Sequence, residues 1–421
     1  MQMPVSSLDH RTLYRLPWSL SDNVVAWLEP TKACNIYCDG CYSANHAGSH
    51  KTLQQISDDL DVFERYRRTD AVSVAGGDPL THPQIVEVVR MIAARGLKPV
   101  VNTNGFAMTP DLLRSLKAAG MKGVTFHVDS RQKRPGWTGK DEVQLNELRQ
   151  QLADMVAEVG GISCAFNATV YEQTLPAVPE IVEWARRNPA KVQVVVFIAF
   201  RTTVEDGRFD YYVGDKRVDT GELVYAGGRS ERTDIGAREI AACIQDRFPH
   251  FKPAAYLNGT EKPDAFKWLM TLVVNDGKDI IGSVGPRFVE LSQVASHLFS
   301  GRYLGYVGPE AMRNTKLLLP LAAVDPGLRD AAKRWLAGVV RDPRQLVKPI
   351  YLQSVMIIQP VDVLDDGRAS MCDGCPDMTV HDGELVWSCR LEERLRFGQW
   401  MRPIPRGKGN GAPKQDTGAQ R

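Results

Sequence analysis

Six strand-like runs alternate with helical stretches over the first two hundred residues, and that alternation predicts an α/β fold built from βαβ units. Right-handed crossovers make such a sheet parallel, and six units where a closed barrel has eight predict a partial (β/α)6 TIM-like barrel, open on one side. The rhythm breaks after Arg201, and the second of two tight cysteine clusters marks an α+β C-terminal region with a cysteine-rich hairpin.

In chain order the predicted strands are 24–28, 71–75, 98–102, 123–128, 162–170 and 191–200. Helices fall between them at 53–67, about 83–95, 110–119, about 140–159 and 175–187, the first read from Ile56, Leu60 and Phe63 at helical spacing. Beyond the sixth strand, 211–213 and 216–218 flank Gly214-Asp215 as a hairpin. A helix is expected over 233–248, capped by Thr233 or Asp234, and Cys243 shares its apolar stripe with Ile240 and Ile244. Strands are expected at 268–274 and 279–283 around Asp276-Gly277, apolar helices between 289 and 336, and a last long strand at 351–359. The polar tail from Arg406 reads as disordered. The expected organisation is an extension at 1–23, the barrel at 24–201, a variable middle region at 202–360 completing the barrel and the substrate side, a cysteine-rich region at 361–405, and the tail at 406–421.

Composition narrows the class. Of 421 residues 43% are hydrophobic and 24% charged, which excludes disorder for most of the chain. Lys and Arg number 52 against 50 Asp and Glu, so no global basic field for nucleic acid exists. The longest apolar run, 194–200, is far short of the ~20 residues of a membrane helix, and the first residues lack the order of a secretory signal. A cytoplasmic protein is expected. Close cysteine clusters in a reducing compartment hold metal more often than disulfides.

Cys34, Cys38 and Cys41 stand in the loop directly after the first strand. Three thiolates in one loop suit three corners of a cuboidal iron–sulfur cluster, leaving one iron open, whereas closed structural zinc takes four ligands. A zinc knuckle completed by His46 or His50 is the alternative. The second strand ends in Gly76-Gly77-Asp78-Pro79, the third in Asn102-Thr103-Asn104-Gly105, the fourth in His127-Val128-Asp129-Ser130, and the fifth carries Asn167. All of these fall at carboxyl ends of successive strands, where the site of such a sheet lies.

This pattern resembles the radical S-adenosylmethionine (radical SAM) superfamily: a CxxxCxxC loop after strand one, GGDP in place of GGEP, and an Asn-Gly element after strand three. The resemblance implies that Cys34, Cys38 and Cys41 hold a 4Fe-4S cluster whose free iron chelates S-adenosylmethionine. It further implies reductive cleavage to a 5′-deoxyadenosyl radical that abstracts hydrogen from a substrate. Gly76, Gly77, Asp78, Pro79, Asn104, Asp129, Ser130 and Asn167 become the cofactor-contacting positions, the glycines by letting backbone carbonyls approach the cofactor's amino group. One departure stands out. Many members carry an aromatic residue just before the third cysteine, and here that place is Gly40, with Tyr37 and Tyr42 nearby.

Cys372-Asp-Gly-Cys375 is followed after thirteen residues by Cys389, with strand, Asp382-Gly383 turn and strand between. A hairpin there returns Cys389 to the CxxC. The arrangement resembles the half-SPASM or twitch element of radical SAM enzymes and implies a second 4Fe-4S cluster that binds substrate or relays electrons. A zinc ribbon closed by His381 or a remote cysteine is the alternative. Strand alternation sets Cys164 on the face opposite Asn167, as a core thiol, and sets Thr125, His127 and Asp129 on one face. The expected partners are a small-molecule, peptide or lipid substrate and an electron donor such as flavodoxin or ferredoxin. The rival from another class is a non-catalytic zinc-binding protein on a degenerate barrel.

Overall fold

A computed structural model describes residues 8–200, 207–223, 232 and 234–406. Thr233 and the tail from 407 lie outside the described residues. Six parallel strands run side by side in sequence order: β1 (Val25–Thr31), β2 (Ala71–Gly76), β3 (Lys98–Thr103), β4 (Gly123–His127), β5 (Ser163–Val170) and β6 (Val194–Ala199). Helices α1 (Leu53–Tyr66), α2 (Ile85–Ala94), α3 (Pro110–Ala118), α4 (Asn146–Val159) and α5 (Val178–Arg187) make the crossovers. Their apolar stripes pack on the sheet through residues such as Leu60, Val88, Leu116, Leu152 and Val182.

The sheet does not stop at six. β7 (Trp268–Asn275) and β8 (Tyr351–Ile358) extend it, with β8 parallel to β6 (Ser354 opposite Val194) and β7 antiparallel to β8. Ala255–Leu257 and Ile280–Ser283 then pair with β7, and the two-residue strand Tyr14–Arg15 lies parallel to Ala255–Leu257. The architecture is mixed α/β on one continuous sheet, with β1 at one edge.

Two helices start a full turn or more later than their periodicity predicts. α4 begins at Asn146, because Glu142 turns inward to pair with buried Arg149 at 2.5 Å and to accept from the Ser130 amide. α6 (Ala237–Arg247) starts after Gly236. The hairpin of Phe209–Val213 and Lys216–Arg217 forms as expected around Gly214, and Arg402–Pro405 adds a third strand. The middle region supplies α7 (Pro286–Ser300), α8 (Pro309–Arg313), a 3-10 stretch at Thr315–Ala323 and α9 (Pro326–Arg341). Asp325 holds this group together, its carboxylate accepting from the amides of Gly285, Phe288 and Leu328. The hairpin of β9 (Met378–His381) and β10 (Glu384–Trp387) follows, turning on Asp382 and Gly383 at φ 51° and 76°, and α10 (Leu391–Phe397) comes next.

Candidate active site

Alternation in the strands defines a face that is not filled. On β3 and β6 the residues toward the helices are buried, while those at 98, 100 and 102 and at 194, 196 and 198 on the other face remain half-exposed. On β5 the half-exposed positions are Asn167 and Thr169, and His127 of β4 lies opposite Asn167. A closed barrel packs this interior with side chains. Here it stays open and polar at the carboxyl ends. Cys164, on the other face of β5, is fully buried in the core.

The cysteine loop leaves β1 at that end and is pinned from three sides. The Gly77 and Asp78 amides donate to Thr31 O at 2.8 Å and to Ala33 O at 2.7 Å. The Cys34 amide donates to Asn45 Oδ1, and Asn45 Nδ2 returns a bond to Cys34 O, both at 3.0 Å. Across the mouth, the Asp39 amide donates to Arg131 O, the Lys133 amide to Tyr37 O, and the Tyr171 hydroxyl to Asp39 O at 2.7 Å. Burial pushes the Cys34, Cys38 and Cys41 thiols above the ordinary value, and the thiolate charges of Cys38 and Cys41 each feel that of Cys34. Loading with iron would supply the positive charge that this pocket denies to bare thiolates. The described thiols do not stand at the spacing of one ion's ligand shell, so their fit to a cluster rests on burial and charge.

The glycines of the GGDP turn permit a close approach to the protein's own backbone. A Cβ on Gly77 would lie 2.2 Å from Ala33 O, and one on Gly76, at φ +102°, would lie 2.4 Å from Thr31 O. They let β2 press against the start of the cysteine loop. Asp78 is likewise a brace. Its buried carboxylate accepts from the amides of Leu80 and Asn104 and from the Thr103 hydroxyl, joining the ends of β2 and β3. Pro79 opens the short 3-10 turn Pro79–Thr81. Asn104 touches the loop directly, donating to Asn35 Oδ1 at 2.7 Å, with Cys34 Sγ at 3.7 Å. Asp129 is buried; burial alone would raise its pKa, but the bond from His127 Nε2 at 2.7 Å and its charge hold the carboxyl below the usual value. The Ser130 amide is tied to Glu142, and Asn167 Oδ1 is buried without a protein partner.

Sequence reasoning missed Arg134. Its guanidinium is buried, donates to Asn104 O at 2.6 Å, and lies within the fields of Cys38, Asp129, Asp78 and Cys34. Its Nε is buried without a partner. A single arginine in an irregular loop carries no periodic signal that could have found it. The place of the missing aromatic is filled from elsewhere: the Phe200 ring lies 2.4 Å from where a Gly40 Cβ would stand and packs on Tyr171 with centroids 4.8 Å apart. Tyr42 is occupied with Trp27, Glu29 and Gly76 O, and Tyr37 is about half-exposed under Lys133. His50 is bonded to Thr31 at 3.0 Å and His46 is exposed.

The C-terminal cysteines gather as a second group, with Cys372 and Cys375 buried and Cys389 half-buried. The Cys375 and Cys372 thiols share a hydrogen bond, Cys389 lies in the field of Cys372, and burial pushes Cys389 up to about 12. Gly374, at φ +75°, lets this loop sit on Trp18 O, where a Cβ would come within 2.3 Å. Arg67 donates to the carbonyls of Cys375 and Pro376, and Asn23 Nδ2 donates to Gly374 O at 3.0 Å. The hairpin returns Cys389 as predicted, Ser388 bonding to Asp377 O. It also carries His381 to the opposite, turn end of the ladder, paired with Glu384, where it does not join the thiols. Cys243 bonds to Leu175 O in the α6 core. A cavity of about 550 Å³ beside Arg67, Arg68 and Arg302 opens at the amino ends of the strands, away from the cysteine loop.

Residues 28–185 match the family model described as the Radical SAM superfamily. The AdoMet-dependent heme synthase of Methanosarcina barkeri is 29% identical over 25% of this chain and 31% of its own length. GTP 3',8-cyclase 1 of Mycobacterium tuberculosis is 25% identical over 39% of this chain and 48% of its own. The chain thus spans a third to a half of the curated relatives it matches. The solved structure of Streptococcus suis SuiB bound to precursor peptide SuiA overlaps 44% of this chain and 41% of that chain at 16% identity and a TM-score of 0.36. Residues 28–185 thus carry a domain of the radical SAM class. That class implies a 4Fe-4S cluster and S-adenosylmethionine.

Proposed function

We propose that Cys34, Cys38 and Cys41 hold the reducing cluster and that S-adenosylmethionine occupies the open polar face at the carboxyl ends of β2 to β6. The observation that carries this reading is the unfilled interior beside three half-buried thiols, with Asn167 Oδ1 and Arg134 Nε left unpaired. Buried unpaired groups are costly, and these two support a ligand at this face. When bound, the cluster and S-adenosylmethionine supply a 5′-deoxyadenosyl radical, the agent that abstracts hydrogen from an unactivated C–H bond. The chain's own work is positional. Asn104 and the Gly76–Pro79 turn set the cysteine loop, Asp129 and Ser130 close the β4 side, and Arg134 offers a fixed positive charge toward a carboxylate. The Phe200 and Tyr171 rings offer an aromatic wall where Gly40 gives none.

Cys372, Cys375 and Cys389 hold a second 4Fe-4S cluster in a twitch-like element that binds substrate or relays electrons from a flavodoxin- or ferredoxin-type donor. The substrate is a small molecule, a peptide or a lipid, and thiolate-held clusters suit the reducing cytoplasm. Anaerobic reconstitution tests the pair of sites: the wild type should bind about eight irons and the Cys372/Cys375/Cys389 triple Ala variant about four. Four irons with one zinc in the wild type would replace the second cluster by a ribbon.

A further inference from the structure

The middle region exposes apolar side chains that no part of the fold covers among the described residues. Leu317, Val340 and Val347 are 80%, 84% and 86% exposed, and Leu336 and Leu346 are more than half exposed. They form one surface. α9 lies on the 3-10 stretch Thr315–Ala323, where Lys316 Nζ sits 5.7 Å from the Trp335 ring and donates to Leu346 O at 2.5 Å, while Arg329 donates to Ala322 O at 2.9 Å. Gly338 meets Gln345 of the turn Pro343–Leu346 so closely that a Cβ would stand 2.5 Å from its Oε1. Helical spacing sets Leu336 and Val340 on the outward face together with Lys333.

Charge selects the occupant. Between residues 315 and 348 stand seven Lys and Arg against three Asp, a formal +4 in a chain whose total is +2. Of the three, Asp325 is buried and committed to backbone amides. A second copy would bring this positive face against itself. A surface that is apolar, flanked by Lys and Arg, and too short to cross a bilayer matches the chemistry of an anionic membrane interface.

We propose that the outward face of α9 with its two adjoining 3-10 turns docks the protein on an anionic lipid surface. The turn Pro343–Leu346 feeds β8 at its amino end, so this face lies at the end of the sheet opposite the cysteine loop, and docking leaves the polar mouth toward solvent. A lipid substrate is therefore not required for membrane association.

The test is co-sedimentation of the full chain with phosphatidylcholine vesicles and with vesicles containing phosphatidylglycerol. Binding is expected to the second and not the first, to weaken at 0.5 M salt, and to drop roughly tenfold or more in the Leu336→Glu/Val340→Glu variant. Circular dichroism and iron content of that variant should match the wild type, since both side chains point outward. Absent binding to anionic vesicles would overturn the proposal, as would equal binding by the variant. A dimer in light scattering that the same variant dissociates, without vesicle binding, would overturn it in favour of a second copy.

Discussion

Glu392 Oε1 accepts the Ala44 amide at 3.0 Å, which joins the helix three residues past Cys389 to the loop three residues past Cys41. Lys32, itself paired with Glu29 at 2.8 Å, reaches the same carboxylate at 3.4 Å. The two cysteine elements are thus braced to each other through buried groups. Glu392→Ala should cost about 1–3 kcal/mol in urea unfolding, because the Ala44 amide and the Lys32 charge lose a buried acceptor. Glu392→Gln keeps the amide bond and should recover part of that loss. An unchanged midpoint in Glu392→Ala would show that the two elements are independent.

Gly77→Ala should disturb the cysteine loop directly, since the new methyl would meet Ala33 O at 2.2 Å. Overpacking of this kind costs about 1–3 kcal/mol, and here its relief moves the loop that would hold iron. Iron at the barrel site should fall in reconstituted protein. Gly308→Ala, with no heavy atom within 4 Å and φ −66°, is the control that should leave iron at the barrel site unchanged.

Much of this site was legible because it is local. The cysteine spacing, the GGDP turn and the Asp382-Gly383 hairpin each lie within one short stretch, and strand alternation alone set Cys164 apart from Asn167. What escaped is what the fold brings from afar. β8 stands some 150 residues after its neighbour β6 and reads in isolation as one more strand. Phe200 reaches Gly40 from the exit of β6, several strands away, and Arg134 is buried only because the loop between β4 and α4 folds over the mouth. The glycines' backbone partner escaped for the same reason: the 31–33 segment lies on a neighbouring strand's exit.

Asp78→Ala should be among the more damaging single changes outside the cysteines. It strands the amides of Leu80 and Asn104 and the Thr103 hydroxyl, for a loss of about 3 kcal/mol or more. Thr103→Val leaves the carboxylate two donors but also strands the Gly105 amide, so a smaller loss of about 1–2 kcal/mol is expected. Equal stability of the two variants in urea would contradict the bracing role.

Acid should weaken the turn after β2. His82 donates from Nε2 to Lys51 O at 2.8 Å and accepts the Gln84 amide at Nδ1, so the fold specifies a neutral ring, and burial holds its pKa below the ordinary 6.5. As pH falls through that value the unfolded chain takes up the proton first, so stability drops on acidification. His82→Gln should make the dependence of unfolding free energy on pH shallower between pH 5 and about 7. An identical slope would mean that His82 does not contribute.

The central claim is that the three-cysteine loop on β1 generates radical chemistry from S-adenosylmethionine. Anaerobically reconstituted protein, given dithionite and S-adenosylmethionine, should form 5′-deoxyadenosine. The Cys372/Cys375/Cys389 triple Ala variant should retain that basal cleavage, and the Cys34/Cys38/Cys41 triple Ala variant should lose it while keeping its C-terminal metal. Retained 5′-deoxyadenosine formation by the barrel-cysteine variant, or none by an iron-loaded wild type, would contradict the account.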